Sequence, residues 1–320
     1  MEMRKLGRSG MKVAPICFGG NVFGWTIDQE TSFAVLDAYV EGGGNFIDSA
    51  DVYSAWAPGH KGGESETVLG NWMKERGNRD SMIIATKLGN PMGKDANQRG
   101  LSRRWMMKAV EDSLQRLQTD YIDLYQAHID DNDSPQEETL RAFDDLVSQG
   151  KVRYIGASNF SSWRLALSLG ESDKNGYVRY SSLQPVYHLL NRADFERELE
   201  PLCLDQQIGV ISYSSLASGF LTGKYRPNKE LPTSPRAKAI QTRYMNEHGY
   251  AVLDKVEELA EAHKATNTQI ALAWILARPA ITAPIVSATS VAQTKELLGA
   301  LEVKLSADDL ATLDKVSSWK

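Results

Sequence analysis

The amino-acid sequence predicts an α/β fold in which eight parallel strands, each followed by a helix, close into a barrel. Short runs rich in β-branched and aromatic residues alternate along the chain with amphipathic stretches of helical period, which is typical of a parallel sheet with crossover helices. The length of 320 residues suits such a barrel, which takes roughly 250 residues plus insertions. Because no linker, repeat or low-complexity segment divides the sequence, we predict one domain over residues 1–320.

A short β-hairpin is predicted ahead of the barrel. Residues Lys5–Val13 read as two short extended runs around a Ser9-Gly10 turn. The segment is too short to be a domain, and we expect it to plug the N-terminal end of the barrel.

Eight strands and eight helices follow in alternation. The predicted strands are Ile16–Gly19, Phe46–Asp48, Met82–Lys87, Ile122–His128, Tyr154–Ala157, Ser182–Gln184, Val210–Tyr213 and Thr282–Val286. The predicted helices are Thr31–Glu41, Glu66–Arg76, Arg103–Leu117, Gln136–Ser148, Ser162–Leu169, Asp194–Gln206, Gln269–Ala277 and Ala292–Leu298. Two connections, Ser54–Ser65 and Ser214–Gly249, are too long for plain turns, and we expect binding loops or lids there.

Composition and charge exclude several classes of function. A net charge of −5 with interspersed acidic and basic residues provides no stripe suited to a phosphate backbone, so nucleic acid is not an expected partner. The N-terminus lacks the apolar stretch of a signal peptide, and no run approaches the roughly 18 apolar residues of a membrane span. Cys17 and Cys203 lie in no metal-ligand spacing, so no metal site is predicted. We therefore expect a soluble cytoplasmic protein, monomeric or homo-oligomeric, that acts on a small molecule.

Four polar residues lie at or just beyond the ends of predicted strands: Asp48, Tyr53, Lys87 and His128. In a parallel barrel the carboxyl ends of the strands converge on one face, so these side chains are expected to meet there. Taken singly, each has an ordinary structural explanation, such as a capping carboxylate or a hydrogen-bonded core histidine. Their joint placement instead favours a set of groups that passes a proton to a carbonyl oxygen.

These residue types complement one another chemically. A tyrosine hydroxyl is protonated at neutral pH and can donate its proton, and the Lys87 ammonium is expected to lower the tyrosine pKa toward the working range. Asp48 would keep Lys87 charged, since an unpaired buried lysine tends to lose its proton. His128 can orient the carbonyl group or share the proton. No G-x-G-x-x-G fingerprint follows any strand, so a Rossmann dehydrogenase is disfavoured.

Along its whole length the chain resembles the aldo-keto reductases. In that family an Asp, a Tyr, a Lys and a His form a catalytic tetrad at the top of a TIM barrel, and Asp48, Tyr53, Lys87 and His128 match these four positions. Four further segments resemble family motifs: Gly63–Glu66, Gly156–Asn159, Ser182–Tyr187 and Ser215–Tyr225. The resemblance implies a (β/α)8 TIM barrel and a reversible, nicotinamide-dependent oxidoreduction of an aldehyde or ketone, with Tyr53 as general acid and base.

The resemblance also implies a cofactor site. Ser158, Asn159 and Gln184 match residues that bind the nicotinamide carboxamide, and Tyr213 matches the aromatic residue that stacks on the ring. The other positions that match cofactor contacts are Gly20, Asn21, Val22, Asp48, Ser214, Leu216, Gly219, Lys224, Arg226, Ser287, Thr289, Gln293 and Glu296. NADP(H) is favoured as the cofactor. NAD(H) stays open because Thr289 stands where many NADP-specific relatives have Arg or Lys.

The substrate pocket is assigned from position alone. Trp25, Tyr53, Trp56 and His128 are expected to line it, which suggests a carbonyl compound with a flat or sugar-like body. Two other functions are compatible with the sequence. One is a cofactor-sensing regulatory subunit that resembles the potassium channel β subunits, and the other is a lyase in which Lys87 forms a Schiff base with a sugar carbonyl.

Overall fold

The computed structural model describes residues 1–227, 230–232 and 236–319. Among these residues a short hairpin precedes eight parallel strands that close into a barrel. The hairpin strands are β1 (Arg4–Lys5) and β2 (Lys12–Val13), and the barrel strands are β3 (Cys17–Gly19), β4 (Phe46–Asp48), β5 (Ile83–Leu88), β6 (Ile122–Ala127), β7 (Val152–Ser158), β8 (Tyr180–Gln184), β9 (Gly209–Ser212) and β10 (Ile281–Val286). Strands that are consecutive in sequence pair with each other, and β10 pairs with β3 to close the ring. The predicted (β/α)8 TIM barrel is confirmed, and each predicted strand end lies within two residues of the observed one.

The hairpin closes the N-terminal end of the barrel, as predicted. Its strands pair antiparallel, with Arg4 opposite Val13. Gly7 lies so close to the start of β9 that a Cβ atom there would be 2.5 Å from Gly209 N. The apolar hairpin side chains are buried in one cluster with residues of the barrel strands: Leu6, Met11, Val13, Cys17, Phe46, Ala85, Leu124, Ile211 and Ala283.

Helices surround the barrel. They are α1 (Gln29–Glu41), α2 (Glu64–Arg76), α3 (Arg103–Leu117), α4 (Gln136–Ser148), α5 (Ser162–Asn175), α6 (Ala193–Glu196), α7 (Leu199–Asp205), α8 (Ala237–Tyr244), α9 (Glu247–His263), α10 (Asn267–Leu276), α11 (Val291–Gly299) and α12 (Ala307–Val316). Among the described residues, none of these helices has both the length and the apolar character needed to cross a bilayer.

The helix prediction needs three corrections. Helices α8, α9 and α12 are absent from it, and α8 lies inside the Ser214–Gly249 stretch that its prolines mark as a loop. Helix α5 continues past its predicted end to Asn175, because a glycine inside a helix, here Gly170, costs only about 1 kcal/mol relative to alanine and does not end the helix. The single helix predicted over Asp194–Gln206 is two helices, α6 and α7. A restart at Leu199 places Pro201 in the first turn of α7, where its missing N–H costs no hydrogen bond.

Side-chain alternation along the strands places polar groups above the hairpin. Phe46 on β4, Ala85 on β5 and Leu124 on β6 face the barrel interior and contact the hairpin cluster. Because alternate side chains of a strand share a face, the residues two positions later also point inward, nearer the carboxyl ends. These residues are Asp48, Lys87 and Gln126.

Candidate active site

Asp48, Tyr53 and Lys87 form a hydrogen-bonded cluster at the carboxyl end of the barrel. The Lys87 ammonium donates to Asp48 Oδ2 at 2.6 Å, to the Ser49 carbonyl oxygen at 2.7 Å and to the Tyr53 hydroxyl oxygen at 2.8 Å. Lys87 is fully buried and Asp48 is 1% exposed. Asp48 therefore supplies the countercharge that a buried ammonium requires. The structure brings three of the four predicted side chains into direct contact.

Two glutamine side chains complete the bonding of Asp48. Gln126 Nε2 and Gln184 Nε2 donate to Asp48 Oδ1 at 3.1 Å and 2.9 Å. Oδ2 is thereby left for Lys87 and for the Tyr53 hydroxyl, which lies 3.3 Å away. Gln126 is not among the predicted site residues. The sequence carries no local signal for it, because only the barrel register, which pairs Gln126 with Lys87, brings its amide group to Asp48.

The Tyr53 hydroxyl stays protonated in this arrangement. Burial, followed by the nearby Asp48 carboxylate, raises the pKa of Tyr53 well above its usual range. The expectation that the ammonium brings this pKa toward the working range is therefore wrong, because burial and the Asp48 carboxylate outweigh Lys87. The phenol is consequently a proton donor, and it becomes a strong base only once it has given up its proton.

His128 lies beside Tyr53, with 6.0 Å between the ring centroids and an interplanar angle of 74°. Its Nδ1 atom is buried and has no hydrogen-bond partner among the described residues. Burial, followed by the Lys87 charge, lowers the pKa of His128 well below its usual range. The imidazole is therefore neutral and can form a hydrogen bond with a carbonyl oxygen without itself being the acid.

The loop that carries Tyr53 is held by buried hydroxyl groups. Ser54, the next residue, has φ 79°, in the left-handed region that few non-glycine residues adopt. Its hydroxyl donates to the Phe23 carbonyl oxygen at 3.0 Å, and the Ser65 hydroxyl donates to the Gly20 carbonyl oxygen at 2.7 Å. These bonds tie the loop after β4 to the loop after β3 and keep Tyr53 next to Lys87.

The four residues predicted to bind a nicotinamide form one connected group. Ser158 Oγ donates to the Gln184 carbonyl oxygen at 2.9 Å, and Asn159 Nδ2 donates to Ser158 Oγ at 3.0 Å. The Tyr213 hydroxyl donates to Asn159 Oδ1 at 2.8 Å. Through Gln184 the group is also bonded to Asp48. Amide and hydroxyl groups beside an aromatic ring fit the carboxamide and the flat ring of a nicotinamide.

The residues that follow β3 lie on the other side of Asp48. The Gly20 N–H donates to the Asp48 carbonyl oxygen at 2.7 Å, and Val22 is buried. Ser287 Oγ, after β10, donates to Asn21 Oδ1 at 2.5 Å. The predicted contacts on the first and last barrel strands are thus linked beside the cluster.

The loop after β9 contains tight turns and one arginine that is ion-paired with a neighbouring helix. Ser214 and Leu216 accept backbone hydrogen bonds that close consecutive turns, and Lys224 Nζ lies 3.7 Å from where a Gly219 Cβ atom would be. The Arg226 guanidinium forms ion pairs with two carboxylates of α9, Asp254 and Glu257. Arg226 therefore contacts α9, whereas the Lys224 ammonium lies beside the turn at Gly219.

The start of α11 and the loop before it contain Thr289, Gln293 and Glu296, which the resemblance matches to cofactor contacts. Gln293 Oε1 accepts from Thr289 N at 2.8 Å and from Thr289 Oγ1 at 3.1 Å. The Glu296 carbonyl oxygen accepts from Gln269 Nε2 at 3.1 Å. Two of the predicted contacts therefore bond each other, and no basic side chain takes part in these bonds.

Aromatic rings extend from Tyr53 toward the solvent. Trp56 packs edge-on against Tyr53 with 5.9 Å between ring centroids, and Trp25 packs edge-on against Trp56 at 5.6 Å. The Trp25 indole donates to the Asn21 carbonyl oxygen at 2.7 Å, which fixes its orientation. Trp56 is 52% exposed. The predicted pocket residues thus form a continuous aromatic wall whose outer end is open.

The remaining titratable groups do not suggest a metal centre. In the described ranges, no group of three or more His, Cys, Asp or Glu side chains is placed to hold a metal ion. Cys17 and Cys203 are buried free thiols, and burial raises the pKa of both.

Comparison with known families decides the assignment. Residues 15–318 match the model of the Aldo/keto reductase family. The chain belongs to this family. Aldo-keto reductases are oxidoreductases that use nicotinamide cofactors. That cofactor class agrees with the amide, hydroxyl and aromatic groups beside Asp48.

Known aldo-keto reductases and related proteins resemble the chain over nearly its full length. An uncharacterized oxidoreductase of Bacillus subtilis is 35% identical, with 99% of this chain and 96% of the relative covered. A putative aryl-alcohol dehydrogenase of Schizosaccharomyces pombe is 34% identical, with coverages of 97% and 94%. A probable voltage-gated potassium channel subunit beta of Arabidopsis thaliana is 32% identical, with coverages of 95% and 92%.

The position of Lys87 argues against the Schiff-base alternative. Its ammonium donates three hydrogen bonds, to Asp48, Ser49 and Tyr53, and has no exposed surface. A lysine that attacks a carbonyl must lose its proton and reach the substrate. In this aldo-keto reductase both requirements conflict with the bonds that Lys87 makes.

Proposed function

We propose that the chain is a single-domain, cytoplasmic NAD(P)H-dependent reductase that reversibly converts an aldehyde or ketone into an alcohol, with Tyr53 as the general acid and base. The observation that carries the proposal is the bonded cluster of Asp48, Lys87 and Tyr53 at the carboxyl end of the barrel. The aromatic wall begins at the same tyrosine. A proton donor and an aromatic surface that suits a flat molecule therefore meet at one residue.

Tyr53 supplies the proton of the reaction. When bound, the nicotinamide supplies the hydride that the carbonyl carbon accepts. The carbonyl oxygen takes the proton of the Tyr53 hydroxyl, so hydride and proton together form the alcohol. Lys87 Nζ, 2.8 Å from the phenol oxygen, stabilises the negative charge that remains there.

Asp48 and His128 prepare this step. Asp48 keeps Lys87 charged and oriented through its contact of 2.6 Å. Neutral His128 provides one N–H group for a hydrogen bond to the carbonyl oxygen beside Tyr53. Ser158, Asn159, Gln184 and Tyr213 would hold the nicotinamide.

An aromatic or similarly flat carbonyl compound is the substrate class that the site supports best. Trp25 and Trp56 can pack against a flat ring while its carbonyl group reaches Tyr53. The Schizosaccharomyces pombe relative is named a putative aryl-alcohol dehydrogenase, which supports the same choice. A sugar-like body is the second option, since tryptophan faces also suit sugar rings.

NADP(H) is the favoured cofactor. Lys224, whose ammonium lies near Gly219, offers a positive charge in the loop after β9, and the start of α11 offers hydroxyl groups to a phosphate. Thr289 in place of a basic residue leaves NAD(H) possible. Side-by-side fluorescence titrations with NADPH and NADH test the preference, which fails if NADH binds more tightly.

Replacement of Tyr53 by Phe tests the proposed function. Turnover of an aromatic aldehyde should fall by about 10² to 10⁴ or more, the range of general acid catalysis, while cofactor affinity stays unchanged. Tyr121→Phe is a matched control, because the Tyr121 hydroxyl bonds Asp80 at the opposite end of the barrel. A Tyr53→Phe variant that reduces the aldehyde at the native rate would remove Tyr53 from its proposed role.

A regulatory subunit is the second candidate function. The Arabidopsis thaliana relative named as a probable potassium channel subunit beta carries this possibility. Stable tetramers that bind cofactor tightly but turn over very slowly with every aldehyde tested would favour it. Fast turnover that depends on Tyr53 would favour the reductase.

A further inference from the structure

A pair of buried acids, Asp51 and Glu66, lies on the outer side of the barrel wall, behind Lys87. Asp51 is 1% exposed, and neither of its carboxylate oxygens has a hydrogen-bond partner among the described residues. Glu66 on α2 is fully buried and well bonded. Its Oε1 accepts from the Thr86 hydroxyl and its Oε2 from Arg116 Nε, each at 2.6 Å.

The charges around Asp51 do not balance if both acids are ionised. The groups that act on it are Glu66 from α2, Arg116 from α3 and Lys87 from β5, and the Tyr125 hydroxyl of β6 lies in the same cluster. Arg116 is bonded to Glu66, and Lys87 is bonded to Asp48. Burial, followed by the Glu66 carboxylate, raises the pKa of Asp51 well above its usual range. Two buried carboxylates that share one guanidinium do not both ionise at neutral pH.

We propose that Asp51 is a neutral carboxylic acid in the folded protein and that, in this form, it positions the turn that carries Tyr53. Asp51 lies two residues before Tyr53, and its backbone N–H donates to the Lys87 carbonyl oxygen at 3.1 Å. Ionisation of Asp51 would place a second negative charge beside Glu66 in the barrel wall, and the repulsion between the two carboxylates would displace this turn. The proton on Asp51 therefore sets an upper pH limit for the arrangement of the active site.

The pH dependence of unfolding tests the proposal without any activity measurement. In the unfolded chain Asp51 loses its proton near its ordinary pKa of about 3.9, whereas the folded protein keeps it. The native state then binds more protons than the unfolded state, so the native protein loses stability as the pH rises. In Asp51→Asn this loss is absent. The ratio of the native to the variant unfolding equilibrium constant should therefore rise about tenfold per pH unit from about pH 5 up to the raised pKa of folded Asp51.

Asp37→Asn is the matched control, because folding shifts the pKa of Asp37 in the direction opposite to that of Asp51. Asp37 accepts from Arg76 and from the Trp72 indole, and the Arg76 hydrogen bond lowers its pKa. Its contribution is present above its unfolded pKa and is lost only as the pH falls, so the corresponding ratio should stay flat over the same pH range. A flat or falling ratio for Asp51→Asn would overturn the proposal, because an ionised, paired Asp51 produces that result.

Infrared spectroscopy provides a second measurement should Asp51→Asn fail to fold. The native protein at neutral pH should show the carbonyl stretch of one protonated carboxylic acid in a dry environment. In Glu66→Gln the repelling carboxylate is gone and Arg116 is free to pair with Asp51, so this band should disappear. A native spectrum without the band, or a band that persists unchanged in Glu66→Gln, would contradict the assignment.

The positioning role has its own readout, which rests on the proposed reductase function. The ratio of kcat for Asp51→Asn to kcat for the native protein should rise with pH, because the native turn is displaced when Asp51 ionises. A purely structural role would lower kcat by the same factor at every pH. If the kcat ratio did not change with pH while the infrared band was present, either the positioning role or the reductase assignment would be wrong. The turnover of Tyr53→Phe separates these two explanations.

Discussion

The two ends of the barrel are built on opposite principles. At the N-terminal end, Leu6, Met11 and Val13 fill the interior with apolar side chains. The Arg4 guanidinium there donates to the carbonyl oxygens of Ile281 at 3.1 Å and Leu276 at 3.0 Å. At the carboxyl end the same interior holds a buried ammonium, a buried carboxylate and an imidazole nitrogen that has no hydrogen-bond partner among the described residues. One end therefore stabilises the barrel, while the other keeps reactive groups in place.

Backbone strain follows the same division. Non-glycine residues with positive φ at the carboxyl end are Ser54, Asn159, Ser214, Ala217 and Ser218. The other such residues among those described are Gln118, Gln207 and Lys264, which lie at or just after the carboxyl ends of helices. A left-handed residue after a helix satisfies the last carbonyl groups of that helix, whereas a left-handed residue in a loop has no helix end to complete. The loops at the catalytic end therefore hold conformations that the rest of the fold must support.

Removal of the ammonium should produce the largest effect at the carboxyl end. In Lys87→Met turnover should fall by about 10² to 10⁴, because the phenolate left on Tyr53 loses its stabilising charge. The buried Asp48 also loses its partner, at a cost of about 3–5 kcal/mol in the free energy of unfolding. Steady-state kinetics and urea denaturation measure the two effects.

The double variant Asp48→Asn/Lys87→Met is the control for this prediction. It contains no unpaired buried charge, so it should regain much of the lost stability while remaining inactive. If the double variant were no more stable than Lys87→Met, the charge explanation would be wrong.

Shortening an apolar side chain of the N-terminal hairpin should lower the stability of the protein and leave its turnover nearly unchanged. Leu6 is fully buried in the hairpin cluster, and Leu6→Ala should destabilise the protein by about 2–5 kcal/mol through lost burial and a cavity. Because the plug lies at the far end of the barrel from Tyr53, kcat should stay within about twofold of the native value below the melting transition. A large fall in kcat with intact folding would show that the two ends are coupled.

The sequence predicted the stabilising frame better than the loops. All eight strands are confirmed because short buried runs of β-branched residues have one stable arrangement between crossover helices. Helix α8, which the prediction lacks, follows a proline-containing stretch that indicates a loop. Its helical turns are stabilised by tertiary contacts such as Tyr244 with Phe220, whose ring centroids lie 5.9 Å apart. Contacts between distant segments leave no local pattern to detect.

The candidate site shows the same limit. Asp48, Tyr53, Lys87 and His128 could be predicted because each follows or ends a strand, and strand ends converge. Gln126 lies inside a strand and could be recognised as a partner of Asp48 only from the barrel register, which pairs it with Lys87. The pKa of Tyr53 could not be predicted either, since it depends on the competition between burial, Asp48 and Lys87 at distances fixed by the fold.

His188 makes the carboxyl end sensitive to acid. The side chain is fully buried, its Nδ1 accepts the Leu190 N–H at 3.1 Å, and its Nε2 lies 3.3 Å from the Tyr244 hydroxyl. Burial lowers the pKa of His188 to about 3. Below about pH 6.5 His188 binds a proton in the unfolded chain but not in the native state. The free energy of unfolding therefore falls by about 1.4 kcal/mol for each unit by which the pH decreases.

Replacement of His188 by Asn should remove this acid sensitivity. The difference in unfolding free energy between native protein and variant should shrink by about 1.4 kcal/mol per pH unit between about pH 6 and about pH 4. Parallel native and His188→Asn curves would show that His188 becomes protonated without unfolding.

Relief of backbone strain in the loop after β9 should have the smallest effect on stability. It tests whether the strain at the carboxyl end of the barrel contributes to cofactor binding. Ser218 has φ 58°, and Ser218→Gly should stabilise the protein by about 0.5–1 kcal/mol because glycine adopts this conformation without steric cost. Lys264→Gly, at the ordinary left-handed residue after α9, should stabilise by a similar amount. Only Ser218→Gly should also weaken cofactor binding in a fluorescence titration, since its loop contains the proposed contacts of Leu216 and Lys224. Equal cofactor affinity in both variants would mean that the strain at the carboxyl end is incidental to binding.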